Sequence, residues 1–242
     1  MQILTKYKGG SLGNAPVVDA ILSPKDAIVF FDDFEQTIPT GTRNTITAGT
    51  GCTGTVGTLD TGVAIATHGT TASQTVVVAH TSACVKADAT RIISFEASVS
   101  ANVVALANSG SSFIGFSQLA VTTASVTAAG AADGTNSAIG FAFRADGALA
   151  TVVSNGATIA TAQVLVATPV ATATTGKTYR LGMVIKNSAS VDFYVNGQFV
   201  TTVTAALDTT NLMRLHIDTL GGTSISALRS LIVDYVQYSY SR

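Results

Sequence analysis

The chain contains no tryptophan, two cysteines, four prolines and three histidines in 242 residues, and only 11% of it is charged. Each scarcity removes a class of function. Without tryptophan, a stacking platform for sugar rings has to be built from tyrosine or phenylalanine. Cys52 and Cys84 are too few for a disulfide framework, and without a secretion signal they are expected as free thiols. A net charge of −1 and a pI near 6.2 leave no basic surface to gather phosphates, so nucleic acid is not an expected partner. Long apolar runs are missing too. The densest, Ala27 to Phe31 and Thr75 to Ala79, are far shorter than the roughly 20 residues that cross a bilayer. Residues 1–10 lack the continuous apolar core of a signal peptide.

What is present is an ordinary hydrophobic share of 47%, with polarity supplied by Thr, Ser, Asn and Gly, residues of strands and turns. The mean hydropathy of +0.42 then reflects buried strands, not a membrane. The length fits one large all-β domain, since sandwiches commonly exceed about 200 residues as one unit. A net charge near zero gives little colloidal repulsion, which suits a subunit of an assembly better than a free monomer.

Residues 1–26 hold no steady period and contain Gly9-Gly10, Gly13-Asn14, Pro16 and Pro24, and read as an extended N-terminal arm. The domain is placed at 27–242. Ile93, Phe95, Ala97 and Val99 alternate with Ser94, Glu96 and Ser98, the pattern of a half-buried strand. Further strands are expected at Phe113–Phe116, Ile139–Phe143, Ala148–Val153, Tyr179–Ile185, Met213–Ile217 and Leu228–Tyr240, with turns at Asp146-Gly147 and Asn155-Gly156. The Ala/Thr/Ser/Gly-rich stretch Val121 to Thr135 is read as a long surface loop or β-arm. No segment keeps a 3.6-residue apolar period over about ten residues, so very little helix is expected.

The strongest local signal is Asn196-Gly197 between two alternating runs, a two-residue hairpin turn. It pairs Val195 with Gln198, Tyr194 with Phe199 and Phe193 with Val200, placing apolar bulk on both faces of the hairpin. One face packs in a sandwich; the other is expected to be covered by a loop, an arm or another subunit.

From Phe31 to Tyr238 the order of elements resembles the concanavalin A-like lectin/glucanase jelly roll, including laminin-G-like domains. The matching pieces are Phe31-Asp-Asp-Phe34, Ile93-Ser-Phe-Glu-Ala97, Phe113-Ile-Gly-Phe116 and Ile139-Gly-Phe141 with its Asp146-Gly147 turn. Val191-Asp-Phe-Tyr-Val-Asn-Gly197 and Leu231-Ile-Val-Asp-Tyr-Val236 complete them. The resemblance implies an antiparallel two-sheet jelly-roll sandwich. Composition and order are also similar to tailed-bacteriophage virion proteins that carry this domain, such as capsid decoration (cement) proteins.

Motifs that would announce chemistry fail on inspection. Gly49-Thr-Gly51-Cys-Thr-Gly54 matches G-x-G-x-x-G, but no helix pattern follows to hold a pyrophosphate. Gly176-Lys177-Thr178 ends like a P-loop, yet Ala171 stands where the first glycine belongs. Gly110-Ser111-Ser112-Phe113-Ile114 misses the nucleophile elbow by its last glycine. Glycanases of this fold use clustered carboxylates on one strand face, whereas Glu96 is followed by Ala97, Ser98 and Val99. Asp32, Asp33 and Glu35 read as a strand-edge charge cluster, with a cation or a capping role as the alternative. His68, His80 and His216 have no partner at metal-ligand spacing. His216, with Arg214 and Asp218 on the polar face of a strand, reads as a solvated or hydrogen-bonded surface residue. Calcium needs several oxygen ligands from converging loops, of which Asp133-Gly-Thr-Asn136 offers some.

No catalytic, cofactor-binding or metal residue is therefore assigned. The resemblance implies a non-enzymatic virion structural protein, a capsid decoration subunit acting by adhesion. Its partners would be the major capsid protein or other virion proteins and copies of itself, a homotrimer being one arrangement. It would be located in the virion, assembled in the host cytoplasm, with no cofactor, nucleic acid or membrane. The alternative is a carbohydrate-binding, lectin-like module displayed on capsid or tail. A cryptic glycan hydrolase would need an acid pair about 5–10 Å apart.

Overall fold

The structure, a computed structural model, describes residues 27–34, 44–56, 64–68, 73–102, 110–120, 123–127, 129–132, 134–166, 178–222 and 229–241. The arm read over 1–26, Glu35, Asp133 and Gly176-Lys177 lie outside these. Among the described residues there is no helix, and the strands form two antiparallel sheets.

In chain order the strands are Ala27–Asp32 (β1), Asn44–Ala48 (β2), Thr53–Val56 (β3), Ala64–His68 (β4), Thr75–His80 (β5), Ile93–Asn102 (β6), Ser111–Ser117 (β7) and Ser137–Phe143 (β8). They continue as Leu149–Asn155 (β9), Val164–Val166 (β10), Thr178–Asn187 (β11), Ser190–Val195 (β12), Gln198–Thr204 (β13), Arg214–Leu220 (β14) and Arg229–Ser241 (β15). One sheet runs β13-β12-β11-β6-β15-β4-β3, with β1 also on β15; the other runs β10-β9-β8-β7-β14-β5-β2. We call them the front and back sheet.

Alternation places Phe95, Phe193, Leu181 and Tyr238 of the front sheet against Phe116, Phe141, Ile217 and Val78 of the back sheet. The aromatic rings interlock across the layer. Phe95 meets Phe116 edge-on at 5.4 Å and lies 6.5 Å from Phe141; Phe141 meets Phe193 at 5.2 Å, and Phe116 meets Tyr238 at 5.3 Å. These separations suit edge-to-face packing, which adds to the area the rings bury.

The Asn196-Gly197 turn forms as its sequence requires, with φ of 53° and 79°, both left-handed as the mirror-image hairpin turn demands. Its pairing departs from the expectation at the third rung. Val195 opposes Gln198 and Tyr194 opposes Phe199, but Phe193 opposes Thr201. Val200 is an extra residue in a bulge, which lets β13 follow the strong twist of an edge strand. A second bulge, between Val233 and Tyr235, resets the alternation of β15. Leu231 and Val233 face the core before it; Val236 and Tyr238 face the core after it; Tyr235 is thereby turned outward.

The strand read as half-buried is covered on both faces. Ser94, Glu96 and Ser98 are as buried as Phe95 and Ala97, because β6 lies between β11 and β15 and their longer side chains fold over it. Gly49 to Gly54 carries the chain from β2 of the back sheet to β3 of the front sheet, a crossover with no helix for a nucleotide. Ser111 and Ser112 open β7 and are fully buried, so they form no nucleophile elbow.

Candidate functional site

A sandwich can present chemistry on the outer face of either sheet. On the back sheet, cross-strand register defines two adjacent rows. One is Thr45–Ala79–His216–Gly115–Gly140–Val152 and the other Thr47–Val77–Asp218–Phe113–Ala142–Ala150. Across six strands they hold one carboxylate, Asp218. Hydrolysis of a glycosidic bond needs two, so these rows cannot supply it.

Nor is this face open. The segment after β7 crosses it, and Val126 and Ala132, joined by a bridge, bury Phe113, Ala138, Ala142 and Val152 in a second small core. The surface loop expected between Val121 and Thr135 is thus a cover. Small residues beneath it leave room: Gly115 and Gly140 oppose each other, and a Cβ added to Gly115, whose φ is 156°, would run into the carbonyl oxygen of Ile139.

Under the cover, Ser125, His216 and Asp218 meet with no exposure to solvent. This corrects the surface placement of His216: the residue is hydrogen-bonded, but wholly buried, because the loop lies over it. Its Nε2 is 3.2 Å from the carbonyl oxygen of Leu119, which can only accept, so Nε2 carries the proton. Nδ1 then accepts from Ser125 Oγ at 3.4 Å. Asp218 Oδ2 accepts the Ser125 backbone N–H at 3.0 Å and lies 3.8 Å from His216 Nδ1.

The residue types are those of a hydrolytic triad, but the wiring is not. In a triad the carboxylate orients the imidazole from the nitrogen opposite the serine. Here a peptide carbonyl holds that nitrogen, the carboxylate sits on the serine side, and no substrate can enter. The cluster latches the loop to the sheet. Its one sequence signal was the shared parity of His216 and Asp218; nothing local marked Ser125 as their partner, 91 residues away.

The outer face of the front sheet is more open. One row there is Phe31–Gln237–Glu96–Gly182–Tyr194–Phe199 and its neighbour Ser239–Ser94–Val184–Asp192–Thr202. Glu96, which the sequence leaves without the acidic neighbours of a glycanase strand, is 3% exposed. Tyr235 Oη donates to its Oε1 at 2.7 Å, and Arg180 Nε stands 4.0 Å from its Oε2. Burial and the adjacent Glu96 charge push the Tyr235 phenol well above its ordinary pKa. Asp192 accepts from Thr202 Oγ1 at 2.7 Å and pairs with Lys186, a bond that raises the Lys186 pKa. Each acid is committed to partners on adjacent strands, and the two acids stand two strands from each other. Two aromatic pairs flank them: Phe31 stacks on Tyr235 at 6.0 Å, and Tyr194 meets Phe199 at 5.7 Å, with Phe199 56% exposed.

The remaining sequence candidates have structural duties. Asp32 is buried and its Oδ1 accepts the Phe34 N–H at 3.0 Å, the capping role, at the end of β1. His80 is buried against the edge of the Phe30 ring at 4.7 Å. His68 is on β4 with its side chain outside the described residues. Cys52 and Cys84 are free thiols, Cys84 lying 3.1 Å from Tyr238 Oη. Among the described residues no three His, Cys, Asp or Glu side chains converge on one point.

One acid that the sequence did not single out organises the β13–β14 loop. Asp208 Oδ1 accepts from the N–H groups of Thr210 and Asn211 at 2.7 and 3.1 Å. Its Oδ2 accepts from Ser137 Oγ and Asn211 Nδ2 at 2.5 and 2.8 Å. Burial works to raise its pKa, but the bonds from Ser137, Asn211 and Thr210 prevail and hold it at about 2. A carboxyl depressed below its unfolded 3.8 adds stability above that pH, and the contribution is lost as pH falls through about 2. Asp208→Ala is expected to cost about 1–2 kcal/mol at neutral pH. It should also flatten the loss of stability between pH 3.8 and about 2, read from urea melts across that range.

No protein-family model matches the chain, and no characterised protein sequence does either. Solved structures do. An endo-1,3-beta-glucanase from Streptomyces sioyaensis superposes with a TM-score of 0.58 at 15% identity, over 90% of this chain and 98% of that one. The potassium-bound carbohydrate recognition domain of Emp46p gives 0.51 at 8% identity, over 81% and 88%. A sialidase gives 0.53 at 14% identity over 87% of this chain, which spans 18% of the sialidase's length. At these identities the likeness is one of fold: the chain is an antiparallel two-sheet jelly-roll sandwich, like these glucanase and lectin-type structures.

Proposed function

We propose that the chain is a non-enzymatic adhesive subunit, a decoration (cement) protein of a tailed-bacteriophage capsid. The observation that carries the non-catalytic part is the covered outer face of the back sheet, with its single carboxylate held in the Ser125–His216 latch. The Ser125–His216–Asp218 group lies wholly buried under the loop, out of reach of a substrate; on this reading what the chain offers a partner is shape and apolar area. The virion placement rests on the sparse charge and the Thr/Ala/Gly-rich composition. The partners would be the major capsid protein and copies of the chain itself, in the virion assembled in the host cytoplasm, without cofactor, nucleic acid or membrane.

Co-sedimentation with purified capsids tests this. The full chain is expected to pellet with particles, and a variant lacking residues 1–26 to bind about tenfold more weakly, about 1.4 kcal/mol. Equal binding by the truncated chain removes the arm from the mechanism. No binding by the full chain removes the decoration role.

A carbohydrate-binding role is the second reading, favoured by the Tyr194–Phe199 and Phe31–Tyr235 pairs on the open face of the front sheet. Aromatic faces beside hydrogen-bonding groups are the surfaces on which sugar rings stack. Binding on a glycan array that vanishes in Tyr194→Ala and Phe199→Ala would establish it; an array without signal would dismiss it.

A further inference from the structure

Of the two cysteines, Cys84 stands at the mouth of a hydrogen-bonded chain that runs into the core. Its backbone is pinned beside β14, where the N–H groups of Cys84 and Val85 both donate to the Met213 carbonyl oxygen, at 2.9 and 3.0 Å. Cys84 is exposed, and its Sγ lies 3.1 Å from Tyr238 Oη, which in turn lies 3.5 Å from His80 Nδ1. The hydroxyl is held in place. The Tyr238 ring stacks on Phe30 at 4.7 Å and meets Phe116 edge-on at 5.3 Å, and both Tyr238 and His80 are buried. Cys52 differs: its Sγ donates weakly to the carbonyl oxygen of Thr50, at 3.9 Å.

Cys84 also lines a cavity of about 140 Å³, close to the roughly 150 Å³ that accepts a benzene ring. Leu212 and Tyr240 give it apolar walls, and Lys86 and Arg91 give it positive charge. Asp88 lines it too, but its Oδ1 accepts from the N–H and the Oγ1 of Thr90 at 2.8 and 2.7 Å. An accessible thiol beside a hydrogen-bond donor and cations is the setting in which cysteines react.

We propose that Cys84 is a covalent acceptor site for small anionic disulfides, with Tyr238 and His80 as the path for its proton. With the Tyr238 hydroxyl donating to His80 Nδ1, Oη accepts from the thiol; once the proton has passed to Nδ1, the same hydroxyl donates to the sulfur. Sγ attacks one sulfur of the incoming disulfide. The new Sγ–S bond forms as the old S–S bond breaks, and the departing sulfur takes the electron pair and, from His80 or solvent, a proton. Cys84 is thereby oxidised to a mixed disulfide and the departing half is reduced to a thiol. Lys86 and Arg91 favour reagents with negative charge. This site stands apart from the adhesive and glycan readings, and its test uses neither a capsid nor a glycan.

The full chain is treated, below stoichiometry, with the dianionic aryl disulfide dithiobis(nitrobenzoate) or with neutral dithiodipyridine, and peptide mass spectrometry assigns the label. Each cysteine's rate is divided by its own rate in the urea-unfolded chain. For Cys84 the ratio is expected to exceed one by about three- to tenfold with the anionic reagent, and for Cys52 to fall below one. Tyr238→Phe should abolish the Cys84 advantage with both reagents. Lys86→Gln with Arg91→Gln, both at exposed positions, should slow the anionic reagent about threefold and leave the neutral one unchanged. A Cys84 that reacts no faster folded than unfolded overturns the proposal, and so does full reactivity in a folded Tyr238→Phe. An anionic reagent slowed no more than the neutral one by the charge variant overturns the anion preference. Should Tyr238→Phe fail to fold, the folded-to-unfolded ratio and the charge variant still decide.

Discussion

Phe95→Ala is expected to lower the unfolding free energy by about 3–5 kcal/mol. At roughly 2–4 °C per kcal/mol for a chain of this size, that is a fall in Tm of about 6–20 °C. The reason is position as much as size. Phe95 comes from the front sheet, is fully buried, and touches Phe116 and Phe141 of the back sheet. Its loss leaves a hole that two neighbouring rings, each braced by another aromatic partner, are poorly placed to fill by collapse. Phe199→Ala supplies the contrast. That ring is more than half exposed, so its truncation should change stability by no more than about 0.5 kcal/mol. Calorimetric melts of both variants test the layer order directly, since a Phe95 outside the inter-sheet core would behave like Phe199.

The sheet positions that were legible in the sequence are those where local chemistry decides. Asn196-Gly197 folds into its turn because no other dipeptide so readily takes two left-handed residues. Ile93, Phe95, Ala97 and Val99 share a face because the strand period is two. What local chemistry does not decide was misread. The bulges at Val200 and before Tyr235 answer to the twist and closure of the sheets, and a bulge leaves no residue-type signature when neither Gly nor Pro marks it. Unbroken alternation sets Phe193 against Val200, the pairing expected from the sequence, and the structure sets it against Thr201.

The same division explains the candidate sites. That Glu96 lacks acidic neighbours was visible from the residues after it; that it is buried depends on Tyr235, 139 residues away. The fate of the back-sheet face was invisible for a similar reason. A stretch rich in Ala, Thr and Ser has little burial signal of its own, yet it needs only Val126, Ala132 and the Ser125 contacts to settle on a face cleared by Gly115 and Gly140. Gly115 shows why the clearing is structural: any side chain there meets the backbone of β8. Polar residues on a strand's outer parity are therefore solvated only if nothing crosses them, and crossing is a property of the whole fold.

The latch makes the largest electrostatic prediction. Asp218→Ala removes the acceptor for the Ser125 N–H and the carboxyl beside His216, all without solvent access. Leaving the Ser125 N–H buried without its acceptor costs about 1–3 kcal/mol. The loop should loosen with it, so amides at Ser125 and Val126 are expected to exchange faster and the apolar face over Phe113 and Ala142 to bind a dye such as ANS. Replacing His216 and Asp218 together with leucine discriminates a latch from a catalytic remnant. With Val126 and Ala132 already making an apolar seat, the double variant should be more stable than Asp218→Ala: both leave the Ser125 N–H without its acceptor, but the double variant buries apolar side chains in place of a lone imidazole. A double variant at least as unstable as the single would mean that the pair does more than hold the loop, and would reopen the question of what the buried serine and histidine are for.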